Sequence, residues 1–124
     1  MKPFSLKERL NGFWYAFKGI WLALQAEHNF RIHLLAALFA IVIGFYFNVS
    51  KQDWLWLTLA IALVLITEMI NTAIEQLVDL VEPNQNPLAG KIKDMAAAAV
   101  LIAAITSAII GTIILWPYFC LILI

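Results

Sequence analysis

A chain of 124 residues that is 64% hydrophobic and 13% charged lies outside the range of soluble domains, where about 45 to 50% of residues are apolar and about 25% charged. It reads as one membrane domain over residues 1–124. Eight basic residues balance eight acidic ones, so no basic field invites nucleic acid, and the lone Cys120 excludes an internal disulfide framework or a cysteine-rich metal site.

The charged stretch Met1 to Arg9 lacks the short apolar core and small-residue cleavage site of a secretory signal, so the first segment is expected to belong to the mature protein. Leu6, Leu10, Phe13, Phe17, Ile20 and Leu24 then recur every three or four residues, with Lys7, Glu8, Arg9, Asn11 and Lys18 between them. This spacing predicts an amphipathic helix over about residues 5–27. Trp14 and Trp21 widen its apolar face, and indole rings favour the headgroup level, so the helix is expected to lie in the membrane surface with its basic residues toward phosphate. The alternative is a soluble helix packed on a core, for which the rest of the chain offers little material.

Glu27, His28, Asn29 and Arg31 form a polar knot before the apolar run Ile32 to Val49, the basis of a first span over about residues 30–49. A hydrocarbon core of about 30 Å takes about 20 helical residues, and this run nearly supplies them. A polar turn, Asn48 to Asp53, precedes Trp54 and Trp56, and the following sequence stays uncharged only as far as Thr67. Those residues cover about 21 Å at 1.5 Å each. A second span, about 54–81, must therefore carry Glu68, and with it Asn71 and Thr72, inside the hydrocarbon. Glu82 to Pro87 is loop chemistry, with two prolines and two asparagines. A third span is expected over about 94–118, where Ala96 to Ala99, Ala103, Ala104, Ser107, Ala108 and Gly111 let helices approach closely in lipid. Trp116, Pro117 and Tyr118 close it, and Phe119 to Ile124 reads as further apolar anchoring.

With three spans, the N-terminal region and the loop before the third span share a side. That side holds Lys2, Lys7, Arg9, Lys18, Arg31, Lys91 and Lys93, leaving only Lys51 opposite, and the positive-inside rule makes it cytoplasmic. The fold class is therefore all-α integral membrane, three transmembrane helices plus an N-terminal surface helix.

The stretch Thr67 to Glu82 carries the chemistry. At about 100° per residue, Glu68, Asn71, Glu75 and Asp79 fall at about 0°, −60°, −20° and +20° on one helix face. A charge near the bilayer centre costs about 2.5 to 3.5 kcal/mol, so such a carboxylate is a functional candidate. Carboxylates beside lysines at an aqueous edge suit Mg²⁺ and a nucleotide phosphate, and Glu68, deeper by one to two turns, is placed to meet a lipid hydroxyl as general base. Phosphoryl transfer from a nucleotide to a membrane alcohol follows, without a Walker loop or a kinase catalytic loop. A structural role for Glu68, or a proton-coupled transporter using it, remains the alternative; the transporter leaves Glu27, Glu75, Lys93 and Asp94 unexplained.

Glu68-Met69-Ile70-Asn71-Thr72-Ala73-Ile74-Glu75, with Val78-Asp79 and then Lys93-Asp94-Met95-Ala96-Ala97-Ala98-Ala99-Val100, resembles the signature of the small prokaryotic diacylglycerol kinase family, which includes the undecaprenol kinases. The resemblance runs from Phe13 to Pro117. It implies a homotrimer in the bacterial inner (cytoplasmic) membrane, with active sites shared between subunits and Mg²⁺-dependent transfer of the ATP γ-phosphate to a lipid hydroxyl. Position by position it implies Glu68 as general base with Asn71 beside it, Glu27 and Glu75 as metal ligands bridging to ATP, and Lys93 and Asp94 as nucleotide contacts. Tyr15 on the surface helix and Asn84, Gln85 and Asn86 in the loop are implied to lie near the nucleotide. His33 stands where the enterobacterial diacylglycerol kinase is acidic, and Glu27 to His33 together with Asn86 to Ala89 looks closer to the undecaprenol kinase branch.

Overall fold

The computed structural model describes residues 1–124 as four helices and no strand: α1 (Leu6–Ala26), α2 (His28–Tyr46), α3 (Lys51–Val81) and α4 (Pro87–Leu123). The last three are long and apolar enough to cross a membrane. At 1.5 Å per residue, the 31 residues of α3 and the 37 of α4 make about 46 Å and about 55 Å of helix, more than a hydrocarbon core of about 30 Å requires. Both helices therefore reach past the apolar layer. In α3 the excess is what carries the polar stripe from lipid into water.

Three of the four helices begin where the sequence provides a side-chain cap, and α2, behind Glu27, does not. Ser5 accepts from the Glu8 amide and Ser50 from the Asp53 amide, while Asn86 accepts from the amides of Leu88 and Ala89 with Pro87 at the first helical position, satisfying donors that a helix start leaves open. The turn between α2 and α3 closes on Asn48, whose φ of 50° is a left-handed conformation that Asn tolerates better than most residues. Its amide donates to the Phe45 carbonyl and the next amide, of Val49, reaches back to Gly44. This is a Schellman ending. Its apolar partner Val49 is buried with Leu57 and Ile114 in the chain's one compact core cluster.

Helix α3 is the hub, with α4 packed along it, α2 also docked on it, and α1 meeting α2 and α3. Small residues set these distances. A Cβ on Gly44 would stand 2.7 Å from Cη2 of Trp54, so the indole lies directly over the glycine, with Phe45 beside it at 4.8 Å between ring centroids. Trp54, whose indole suits a membrane interface, is thus also a packing element. On the α4 side, the Ser107 hydroxyl donates to the Ala60 carbonyl at 2.8 Å, a cross-helix bond of the kind that joins helices in lipid.

Only 12 of 124 residues are buried. The apolar stripe of α1 is uncovered, with Leu10, Phe13, Phe17 and Trp21 all exposed and Ala23 the one buried residue of the helix, so α1 does not pack its apolar face on this chain's core. At the other end α4 continues through Pro117, whose missing N–H is tolerated in membrane helices, and takes up the apolar tail. There Phe119 meets Phe47 edge to face at 5.1 Å.

Candidate active site

Two stripes meet at the deepest part of the site. On α3, Leu57, Ala60, Val64, Glu68 and Thr72 are buried, recurring every three or four residues as a packed helix face must. On α2, Phe30, Ala37 and Gly44 are buried, and His33 and Ala40 fall on the same face. Glu68 and Thr72 on α3, and His33 on α2, are the polar members of otherwise apolar stripes, and docking the helices brings the glutamate and the histidine together. Glu68 keeps 3% of its surface, and its Oε1 lies 3.0 Å from Nε2 of His33. The Thr72 hydroxyl donates to the Glu68 backbone carbonyl at 3.0 Å, leaving the carboxylate to the histidine.

One turn along, Asn71 donates through Nδ2 to Oε1 of Glu75 at 3.3 Å. Its Oδ1 is buried without a partner, which a buried amide oxygen rarely is in a finished structure. Glu27 caps neither neighbour through its side chain but sits at the extended break between α1 and α2, and both Glu27 and Glu75 are near enough for their charges to act on Glu68. No three His, Cys, Asp or Glu side chains converge to hold a metal by themselves.

Beyond Glu75 the site opens. Lys93 of α4 donates to the Asp79 carboxylate, and the two line a cavity of about 570 Å³ with Asn84, Gln85, Asn86 and Gly90. The three loop residues expected near the nucleotide are therefore gathered with Lys93. Asn86 carries a second duty, since its Oδ1 is held by the amides of Leu88 and Ala89. With Pro87 lacking an N–H and the Gly90 amide on the Asn86 carbonyl, the start of α4 has few free donors for an anion, and Lys93 is the cation that lines the cavity with the loop. Tyr15 and Asp94 are both exposed, and neither side chain is hydrogen-bonded or ion-paired to another site residue within one chain.

Sequence reading missed two of these contacts. His33 had no visible partner because pairing it with Glu68 depends on how α2 docks on α3; its place in the Phe30, Ala37, Gly44 stripe was the available signal. The capping role of Asn86 was legible in an Asn-Pro step ahead of a helix.

The geometry is that of a carboxylate set deep in a spanning helix, joined by a polar track to a cation-lined cavity at the helix end. Residues 14–115 match the family described as prokaryotic diacylglycerol kinase. The chain belongs to that family. It is similar to the undecaprenol kinase of Bacillus subtilis, 38% identical over 91% of this chain and 92% of the relative. It is also similar to the diacylglycerol kinase of Escherichia coli K12, 39% identical over 85% and 86%, and to that of Helicobacter pylori J99, 36% identical over 96% and 99%. As a member of this family the protein is a lipid kinase of the membrane, for which ATP is the implied co-substrate. The transporter alternative finds no support among these relatives. Those named for undecaprenol and for diacylglycerol are about equally similar to the chain, so similarity alone does not choose the lipid.

Proposed function

We propose that this chain transfers the γ-phosphate of ATP to the hydroxyl of a membrane lipid alcohol, with undecaprenol favoured and diacylglycerol a close second. The observation that carries the reading is Glu68: buried in a spanning helix, held through Oε1 by His33, and with Oε2 unengaged. If Trp54 marks one interface, Glu68 lies about 21 Å along the helix and Glu75 about 31 Å, so the first is inside a hydrocarbon layer of about 30 Å and the second at its far edge. A lipid hydroxyl reaches Glu68 from the bilayer while phosphate arrives from water.

Glu68 takes the hydroxyl proton on its free carboxylate oxygen, the lipid oxygen bonds to the γ-phosphorus, and the bond from that phosphorus to the β-phosphate oxygen breaks to release ADP. A positioned general base of this kind contributes about 10² to 10⁴-fold. Glu27 and Glu75 would hold Mg²⁺, which when bound neutralises charge on the nucleotide phosphates; two carboxylates without a closed protein cage fit an ion that shares its shell with water and phosphate. The Asn71 amide orients Glu75, and its buried Oδ1 has acceptor capacity left over. Lys93 moves from Asp79 to the phosphates, with the Asn84 to Asn86 loop around the nucleotide.

The surplus of Lys and Arg on the side of α1 and the α3–α4 loop supports a cytoplasmic N-terminus in a bacterial inner membrane. The uncovered helix faces, and the exposure of Tyr15 and Asp94 without a polar partner, support a homotrimer in which a neighbour completes each active site. His33 supports undecaprenol, since the enterobacterial diacylglycerol kinase is acidic at that place.

Purified protein in detergent micelles, given Mg²⁺, γ-labelled ATP and both lipid alcohols in competition, is expected to label undecaprenol faster. Label in neither alcohol would sink the reading; faster label in diacylglycerol would reverse the substrate choice.

A further inference from the structure

We infer that His33 is a positioning residue for this reaction, its Nε2–H holding the Glu68 carboxylate so that the second oxygen faces the lipid hydroxyl; this rests on the reading of Glu68 as the base. Three observations carry it. The two atoms stand at hydrogen-bond distance, 3.0 Å between Nε2 and Oε1. No other side chain takes up the carboxylate: the Thr72 hydroxyl goes to the Glu68 backbone carbonyl and the Asn71 amide to Glu75. The ring also lines an otherwise apolar cavity of about 240 Å³ between α2, α3 and α4, where Ser107 is turned onto the Ala60 carbonyl and cannot compete.

The consequence is specific. An ionised carboxylate only accepts hydrogen bonds, so the imidazole must carry its proton on Nε2 in this pair, and Oε1 is committed. A glutamate side chain has three rotatable bonds. Held at one oxygen, it presents the other in a fixed direction; released, it samples alternatives, and a misplacement of about 1 Å can cost about 100-fold in rate. An acidic residue at the position of His33 could not donate to Glu68 in this way unless protonated.

The test compares His33→Ala with His33→Gln in the full chain, both checked for native helicity and native particle size in detergent. His33→Ala is expected to lower kcat about 10 to 100-fold with KM for ATP within about twofold, and His33→Gln, whose amide still donates, to recover most of the loss. A His33→Ala enzyme with kcat within twofold of the unaltered protein, or a His33→Gln enzyme as slow as the Ala variant, overturns the inference. A second reading needs no turnover. The chain has two histidines, and ¹⁵N spectra of the labelled protein should show one protonated at Nε2 whose signal moves on Glu68→Ala; no movement overturns the pairing. A Glu68→Gln enzyme that turns over normally removes the base assignment, and this inference with it. Normal turnover in His33→Ala beside a dead Glu68→Gln removes only the role of His33.

Discussion

The two halves of α3 use polar residues in opposite ways. At its N-terminal end the polar side chains close on partners: Ser50 takes the Asp53 amide at 3.1 Å, and the Asp53 carboxylate takes the Tyr118 hydroxyl at 3.0 Å, tying the start of α3 to the end of α4. Toward the C-terminal end they stay partly open. Asn71 keeps a buried oxygen without a partner, Glu68 has one oxygen engaged, and Asp79 is 63% exposed although it is paired with Lys93. Both ends belong to one helix made of the same residue types. What separates them is whether the hydrogen-bonding capacity is consumed within the chain, which builds a fold, or left over, which marks the place of a ligand.

The largest effect should come from the open half. Glu68→Gln keeps the size and an acceptor for the His33 N–H but removes the base, so turnover should fall about 10² to 10⁴-fold while ATP affinity changes little, as separate nucleotide binding and labelled-phosphate transfer would show. Normal turnover would place Glu68 among the structural polar groups and erase the distinction between the halves. Asn71→Ala should be the next largest. Its amide steadies Glu75, and losing a partner that orients a ligand costs about 10 to 100-fold in metal affinity, so the variant should need that much more Mg²⁺ to reach half-maximal rate.

In the closed half the expected effects fall on stability. A methyl group at Gly44 would meet the Trp54 ring at 2.7 and 2.9 Å, and Phe45 restricts the ring's retreat. Gly44→Ala should therefore destabilise the protein by about 1 to 3 kcal/mol, the usual cost of overpacking, read as earlier thermal unfolding in detergent with turnover per folded molecule unchanged.

The open half was the legible half. The stripe of Glu68, Asn71, Glu75 and Asp79 follows from helical periodicity, and its depth from a hydrocarbon thickness and a rise per residue, all properties of one segment. The helices themselves were legible from their apolar runs. What stayed hidden needed two segments at once. His33 meets Glu68, Trp54 covers Gly44 and Tyr118 reaches Asp53 only because α2 and α4 dock on α3 at particular registers. Trp54 and Tyr118 look alike in sequence to any aromatic at a membrane interface, and only packing tells an anchor from a latch. Tyr15 and Asp94 pose the same difficulty one level higher, since within one chain their exposed side chains have no polar partner.

The smallest effect is expected from Tyr118→Phe, and it tests the comparison most finely. The change removes one hydroxyl and leaves the ring stacked on Phe47 at 5.6 Å, so packing is unaltered. Asp53 is only half-buried, so water can replace the lost donor, and the expected cost is a small downward shift of thermal unfolding in detergent. Turnover should not move, because Asp53 and Glu68 are separated by about 22 Å of helix. A fall in kcat without a matching fall in stability would mean that the latch at one end of α3 sets the position of the carboxylate near the other, and the two halves would then have to be treated as one coupled device.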